Sequence, residues 1–173
     1  AKSRLCAYEK QFATATQVGS VMGSELVGKH YTPLFPYYAG QSDLLFQVIP
    51  ADYVSDSDGT GIVHIAPAYG ADDFWAAKNI NPHFPVLLNV DDYGNFDETV
   101  VDFAGENIFA ATPRIMDWLK SNGRLVKKEQ YKHSYPFGDR SKEKLIYRAT
   151  DSWYIDVPKI KDKLLANNAK VNW

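Results

Sequence analysis

GTGIVHIAPAYGADDF, residues 59–74, is the stretch on which the reading of this chain turns. Two glycines one residue apart open it, and an apolar run carrying one imidazole follows (IVHIA, residues 62–66). Pro67 stops that run, and Ala71-Asp72-Asp73 then begins a helix pattern, DDFWAAKN. Strand alternation places Ile62, His64 and Ala66 on one face. An imidazole between small apolar side chains can line a pocket, although on spacing alone such a histidine is more often a core residue satisfied by a backbone partner. Asp72 and Asp73 are the acids that exposed N–H groups and the local dipole favour at a helix start. Gly59 and Gly61 are of the kind found in turns, since an isolated G-x-G is a weak signal for a phosphate loop.

Upstream of this stretch, LLFQVIP (residues 44–50) reads as a buried strand and DSDGTG (residues 56–61) as a tight turn. The pattern therefore predicts a hairpin between residues 44–50 and 62–66. Further upstream, QVGSVMGSELVGKHYTPLFPYYAG carries closely spaced Gly, Pro and aromatic residues, which predict short strands and turns. Downstream, PVLLNV (residues 85–90) reads as another strand and DDYGNF as a turn. The clearest helix is predicted after Thr112 as N-cap, with Pro113 at the first helical position. Its apolar face is Ile115, Trp118 and Leu119, and Gly123 ends it. Strands are expected around Leu125-Val126 and over KLIYR (residues 144–148), and IKDKLLANN forms a last helix. Many short strands with a few short inserted helices predict a β-rich α+β fold, a closed β-barrel.

Composition bounds the function. A chain of 173 residues with 45% hydrophobic and 14% aromatic side chains can fill one core. A net charge of −2 argues against a general nucleic-acid binder but leaves room for a local basic contact. Lys127-Lys128 and residues 142–144 are candidates for phosphate contacts, though short charge runs are usually solvated faces. The single cysteine, Cys6, excludes an internal disulfide framework and fits a reducing compartment. It is expected to be a small buried hydrophobe. The four histidines show no paired ligand spacing for a metal site, and GSVMGSEL is not a nucleophile elbow. No apolar run approaches the length of a membrane span. Both ends read as cuts from a longer protein: the opening AKSRLCAYEKQF has neither an initiator Met nor a signal peptide, and the chain stops at Asn172-Trp173.

GTGIVHIAPAYGADDF resembles the signature of the editing domain inserted in class I isoleucyl-tRNA synthetases. Three further stretches resemble the same family in the same order: GSELVGKHYTPLFPYY, KHSYPFGDRSKEKLIYRATDSWYIDV and LLANNAKVNW. Leucyl and valyl enzymes share only the GTG…P…D skeleton. Two departures stand out. Nothing here matches the family's threonine-rich editing strand, and Gly138-Asp139-Arg140-Ser141 replaces the Trp or Cys residues of many relatives in a stretch that looks structural.

The resemblance implies an editing domain over residues 1–150, without the threonine-rich strand, and an exit segment over 151–173 leading back to the catalytic domain. It implies hydrolysis of mischarged Val-tRNA(Ile) by a fragment of isoleucine–tRNA ligase that lacks the aminoacylation site and the ATP binding of the parent enzyme. Asp73 would hold the substrate's α-ammonium group, and His64 would line the pocket and exclude isoleucine. Gly59, Thr60 and Gly61 would shape the rim near the terminal adenosine. No metal or cofactor is implied. The implied partners are the tRNA(Ile) 3′ end, mischarged aminoacyl-tRNA and the rest of the synthetase, in the cytoplasm and without a membrane. The alternatives are a non-catalytic module binding the tRNA 3′ end and a valyl- or leucyl-type editing domain.

Overall fold

A computed structural model describes residues 1–172. Trp173, the last residue of LLANNAKVNW, lies outside the described residues. Two short 3-10 helices, Lys2–Tyr8 and Gly23–Glu25, precede three α-helices: α1 (Ala71–Ile80), α2 (Ile108–Ser121) and α3 (Val157–Asn168).

The expected β-barrel does not form. Among the described residues there is no strand and no sheet, and β pairing is confined to the isolated antiparallel bridges His30–Gln47, Val90–Phe96, Asn95–Asn107 and Phe137–Lys144. The expected hairpin between 44–50 and 62–66 is also absent. Gln47 pairs backward with His30, supported by Tyr31 N–H to Phe46 O (2.8 Å) and Val48 N–H to Lys29 O (2.9 Å). The physical reason lies in the backbone. Phe46 sits at φ 56°, in the left-handed region, which interrupts residues 44–50 as a strand. Pro67 and Pro85 remove ladder donors at the ends of the candidates 62–66 and 85–90. Donors that survive bond elsewhere: Ala66 N–H donates to the Asp73 carboxylate and Asn89 N–H to the Tyr69 hydroxyl. Short apolar runs signal covered chain, and here the cover comes from helices and aromatic rings.

The helices follow local chemistry more closely. α1 starts at Gly70 with Asp72 and Asp73 in its first turn, as expected, and its Ala77 is 1% exposed. The Lys78 ammonium donates to the carbonyls of Pro82 (3.0 Å) and Phe84 (2.9 Å), which fastens the exit of α1. α2 begins a full turn before the predicted point. Asn107 is its N-cap, accepting from Phe109 N–H at 3.1 Å, so Thr112 and Pro113 lie inside the helix. The Thr112 hydroxyl donates back to Ile108 O (2.9 Å), and Pro113, inside the helix, has no N–H to donate to Phe109 O. Gly123 (φ 64°) ends α2: its N–H donates to Lys120 O and Arg124 N–H to Leu119 O, the paired bonds of a Schellman motif. α3 starts at Asp156, whose carboxylate accepts from Lys159 N–H, and none of its residues is buried.

Two apolar clusters form the core. Leu45, Ala77 and Phe84 make one, and Val100, Phe103 and Ala111 the other, with Ile115 of α2 packed against the second. Trp118 reaches Phe35, ring centroids 4.5 Å apart. Turns complete the frame. DDYGNF is a tight turn closed by the Val90–Phe96 bridge, with the Asp91 carboxylate accepting from Tyr93 and Asn95 N–H groups. Those backbone hydrogen bonds, Asn95 foremost, hold the Asp91 carboxyl below its ordinary pKa. Cys6 is exposed, contrary to the expectation of a buried thiol, because the 3-10 helix carrying it contains no buried residue.

Candidate active site

Between the two clusters lies a cavity of about 600 Å³, lined by Leu45 and Phe84 from one side and Val100, Phe103 and Ile115 from the other. That volume falls within the range of small-molecule sites, roughly 300–1,000 Å³. Aromatic residues of the LFPYY stretch, Phe35, Tyr37 and Tyr38, form part of its wall, and His64 to Tyr69 form another. Its lining is mostly apolar, with a few polar groups at defined places. The Tyr69 hydroxyl donates to Asn89 Oδ1 (2.5 Å) and accepts from Asn89 N–H (3.0 Å). Tyr37 donates to Asp102 (2.7 Å); burial and that carboxylate push its phenol well above the usual range. Burial likewise pushes Tyr38 and Tyr69 upward, so all three line the cavity as neutral hydroxyls at neutral pH.

Of the five site residues predicted from sequence, only His64 lines this cavity. It is exposed, and its ring makes no hydrogen bond among the described residues, so it stands at the cavity mouth rather than as a satisfied core histidine. Asp73 is not part of the lining but is bonded to it. Its Oδ2 accepts from Ala66 N–H (2.8 Å) and its Oδ1 from the Tyr53 hydroxyl (2.7 Å), so it clamps the wall segment two residues beyond His64. A carboxylate offers about four lone-pair sites, which leaves capacity for a further donor. Burial, then the hydrogen bond and charge of Asp73, raise the Tyr53 pKa to about 12. Asp72 is an exposed first-turn acid.

Gly59, Thr60 and Gly61 stand apart from the cavity, on an exposed turn. Gly59 O accepts from Arg4 Nε (3.1 Å) and Tyr8 Oη (3.3 Å), and Thr60 Oγ1 donates to Ile62 O (2.7 Å). Gly61 lies at φ 81°, where a Cβ would come within 2.8 Å of Ala1 Cβ. Lys127, a candidate phosphate contact, is occupied within the chain: it donates to Ala7 O (3.1 Å), pairs with Glu129 (2.7 Å) and lies 5.1 Å from the Tyr8 ring.

Distant stretches close the cavity wall. Ala149 N–H donates to Ala68 O (2.6 Å) and Arg148 donates to Val90 O (2.8 Å) while pairing with Asp92. Sequence reasoning missed Tyr53, Tyr69, Asn89 and the LFPYY wall. The Tyr53–Asp73 and Tyr69–Asn89 contacts span 20 residues each, so no periodic signal connects them. The aromatic density of the first third was the available hint of the wall.

An apolar cavity with few polar groups and an imidazole at its mouth has the form of a small-molecule site. No family model matches the chain. It is 43% identical over 157 residues to an isoleucine–tRNA ligase of Chlamydia muridarum, covering 90% of this chain and 15% of that protein. The isoleucine–tRNA ligase of Bdellovibrio bacteriovorus is 44% identical over 152 residues (87% of this chain, 14% of that protein). A cytoplasmic isoleucine–tRNA ligase of Arabidopsis thaliana is 44% identical over 154 residues (87% and 13%). The chain is thus homologous to a segment of isoleucine–tRNA ligases. It spans only about 15% of the length of the curated relatives it matches.

Proposed function

We propose that this segment performs the editing of an isoleucine–tRNA ligase, admitting the valyl end of mischarged Val-tRNA(Ile) to the cavity beside His64 and hydrolysing its ester. The observation that carries this reading is an apolar cavity whose mouth holds His64 and whose wall is clamped by Asp73, within a chain similar to those ligases. A synthetic pocket separates isoleucine from valine by only about 1–3 kcal/mol per methylene, a magnitude for which this enzyme family is itself the standard example. A second pocket that rejects the larger side chain supplies the remainder. At about 600 Å³ the cavity would accommodate either side chain, so discrimination depends on where His64 narrows it.

Ester hydrolysis here needs a positioned water and support for the developing oxyanion, and does not demand a protein nucleophile. Asp73 would accept the substrate's α-ammonium through its remaining lone pairs, a charge-assisted hydrogen bond. The partners are then the tRNA 3′ end and the rest of the synthetase chain, in the cytoplasm like the Arabidopsis relative. The deciding experiment measures deacylation of labelled Val-tRNA(Ile) and Ile-tRNA(Ile) by the chain, by an upstream-extended chain and by the full-length protein. Selective release of valine supports editing. Binding without turnover in all three would assign a non-catalytic module, and hydrolysis of Thr-tRNA or another mischarged species, added as a further substrate, in place of Val-tRNA(Ile) would assign a valyl- or leucyl-type editing domain.

A further inference from the structure

Thr32, Pro33 and Leu34 line the main cavity and also a second, smaller cleft of about 190 Å³, which Trp118, Asn122 and Arg124 complete. The cleft forms where α2 ends. There Gly123 N–H donates to Lys120 O and Arg124 N–H to Leu119 O, while the Asn122 N–H and its side-chain amide both donate to Trp118 O (3.0 and 2.8 Å). Backbone groups and one amide thus satisfy carbonyls that a basic side chain at a helix end often caps. The Arg124 guanidinium is left over: among the described residues it forms no ion pair and no hydrogen bond. Nothing else in the lining carries a charge. Trp118 is held by Phe35, ring centroids 4.5 Å apart, and keeps 38% of its surface exposed. Within the described chain its indole N–H and the Thr32 hydroxyl have no hydrogen-bond partner either.

Donors are therefore in excess in this cleft. One full positive charge and two further donors call for a monoanion with several acceptor sites. A carboxylate has about four lone-pair sites in one plane and meets a guanidinium fork through two parallel hydrogen bonds. A phosphate dianion would bring a second charge that no second cation in the lining answers. Pro33, Leu34 and the Trp118 ring suit a short apolar body attached to the carboxylate. We infer that this cleft is a binding site for a small monocarboxylate, with its carboxylate on Arg124 and its apolar body against Trp118. Trp118, Asn122 and Arg124 take no part in the main cavity, so the inference does not rest on the hydrolytic reading.

The test is a fluorine NMR titration of para-fluorobenzoate against the chain. Wild type should broaden the probe signal saturably. Arg124→Gln should weaken binding about tenfold, the lower end for a hydrogen bond to a charged group, because Arg124 is exposed. Arg124→Lys keeps the charge without the planar fork and should recover only part of that loss. The substituted side chain makes none of the bonds that end α2, and circular dichroism checks that the helices persist. A second arm needs no variant: para-fluorobenzamide, the same shape without the charge, should bind wild type about tenfold more weakly. Equal affinity for acid and amide, or an unchanged affinity in Arg124→Gln, would overturn the site. Absence of saturable binding of the probe would do the same. Displacement of the probe by an equal concentration of inorganic phosphate would overturn the carboxylate assignment and leave a general anion site.

Discussion

Asp73 carries two loads. It holds the backbone of Ala66 and the Tyr53 hydroxyl, and in the proposed reaction it also takes the substrate's ammonium. In an otherwise complete enzyme, Asp73→Ala should abolish clearance of Val-tRNA while aminoacylation stays nearly unchanged; clearance at the wild-type rate would leave Asp73 a clamp only. Tyr53→Phe removes one hydrogen bond to the carboxylate, and because Tyr53 is 43% exposed the expected cost is about 1 kcal/mol or less. The sign of its pH dependence follows from the raised pKa. Folding favours the protonated phenol, so its contribution is complete below the unfolded value near 10 and is lost as pH rises towards about 12. Paired thermal melts of wild type and Tyr53→Phe should therefore converge across that window. At His64, loss of the ring should open the mouth enough for correctly charged Ile-tRNA to be hydrolysed. Unchanged selectivity in His64→Ala would mean that another wall residue sets the size limit.

Elements here are held by end chemistry more than by pairing. α2 depends on the Asn107 cap and the Gly123 terminus, so each can be tested alone. Asn107→Ala should cost about 1 kcal/mol, the usual loss of a side-chain cap. Gly123→Ala should cost a similar amount or somewhat more, about 1–2 kcal/mol, because an alanine is strained at φ 64°. Urea titrations read both through their midpoints at unchanged slope. A midpoint that does not move in Asn107→Ala would show that α2 is held by its packing on Phe103 and Val100 rather than by its cap. The same element shows the limit of local signals. Thr112 followed by Pro113 satisfies every rule for a helix start, yet Asn107 begins the helix a turn earlier. Ala111, fully buried, is drawn into the core only if the helix already exists there.

At the scale of the whole molecule, surface area is the dominant fact. The chain exposes 14284 Å², whereas a compact protein of 19.5 kDa exposes about 8,500 Å². Exposed apolar and aromatic side chains are spread widely: Val18, Tyr93, Trp153 and Tyr154 are each more than four-fifths accessible. Such a surface should associate with itself or with a larger protein body. The isolated chain is accordingly expected to elute early and depend on concentration in size-exclusion chromatography, with a broad thermal transition. Deacylation by it should be far slower than by the full-length protein, because the tRNA end must then be captured from solution without the positional advantage of a docked substrate. A sharp, monomeric transition together with full turnover would contradict both expectations.

The sequence by itself determined what nearest neighbours decide. Asp72 and Asp73 after Gly70 mark the start of α1, Gly123 the end of α2, and DDYGNF its turn, since caps, dipoles and positive φ act over three or four residues. The linear order of motifs also carried the likeness to isoleucyl-tRNA synthetases. Partnership across the chain was not legible. The apolar runs over 44–50 and 85–90 and the alternation over 62–66 encode covered chain without naming the cover, and a closed barrel is only one way to supply it. Only tertiary structure decided that Tyr53 reaches Asp73, that Ala149 closes on Ala68, and that His64 faces a cavity while Gly59 to Gly61 do not. The reason is physical: each of these contacts joins residues through space at a free energy set by burial and donor geometry, neither of which leaves a trace in local spacing.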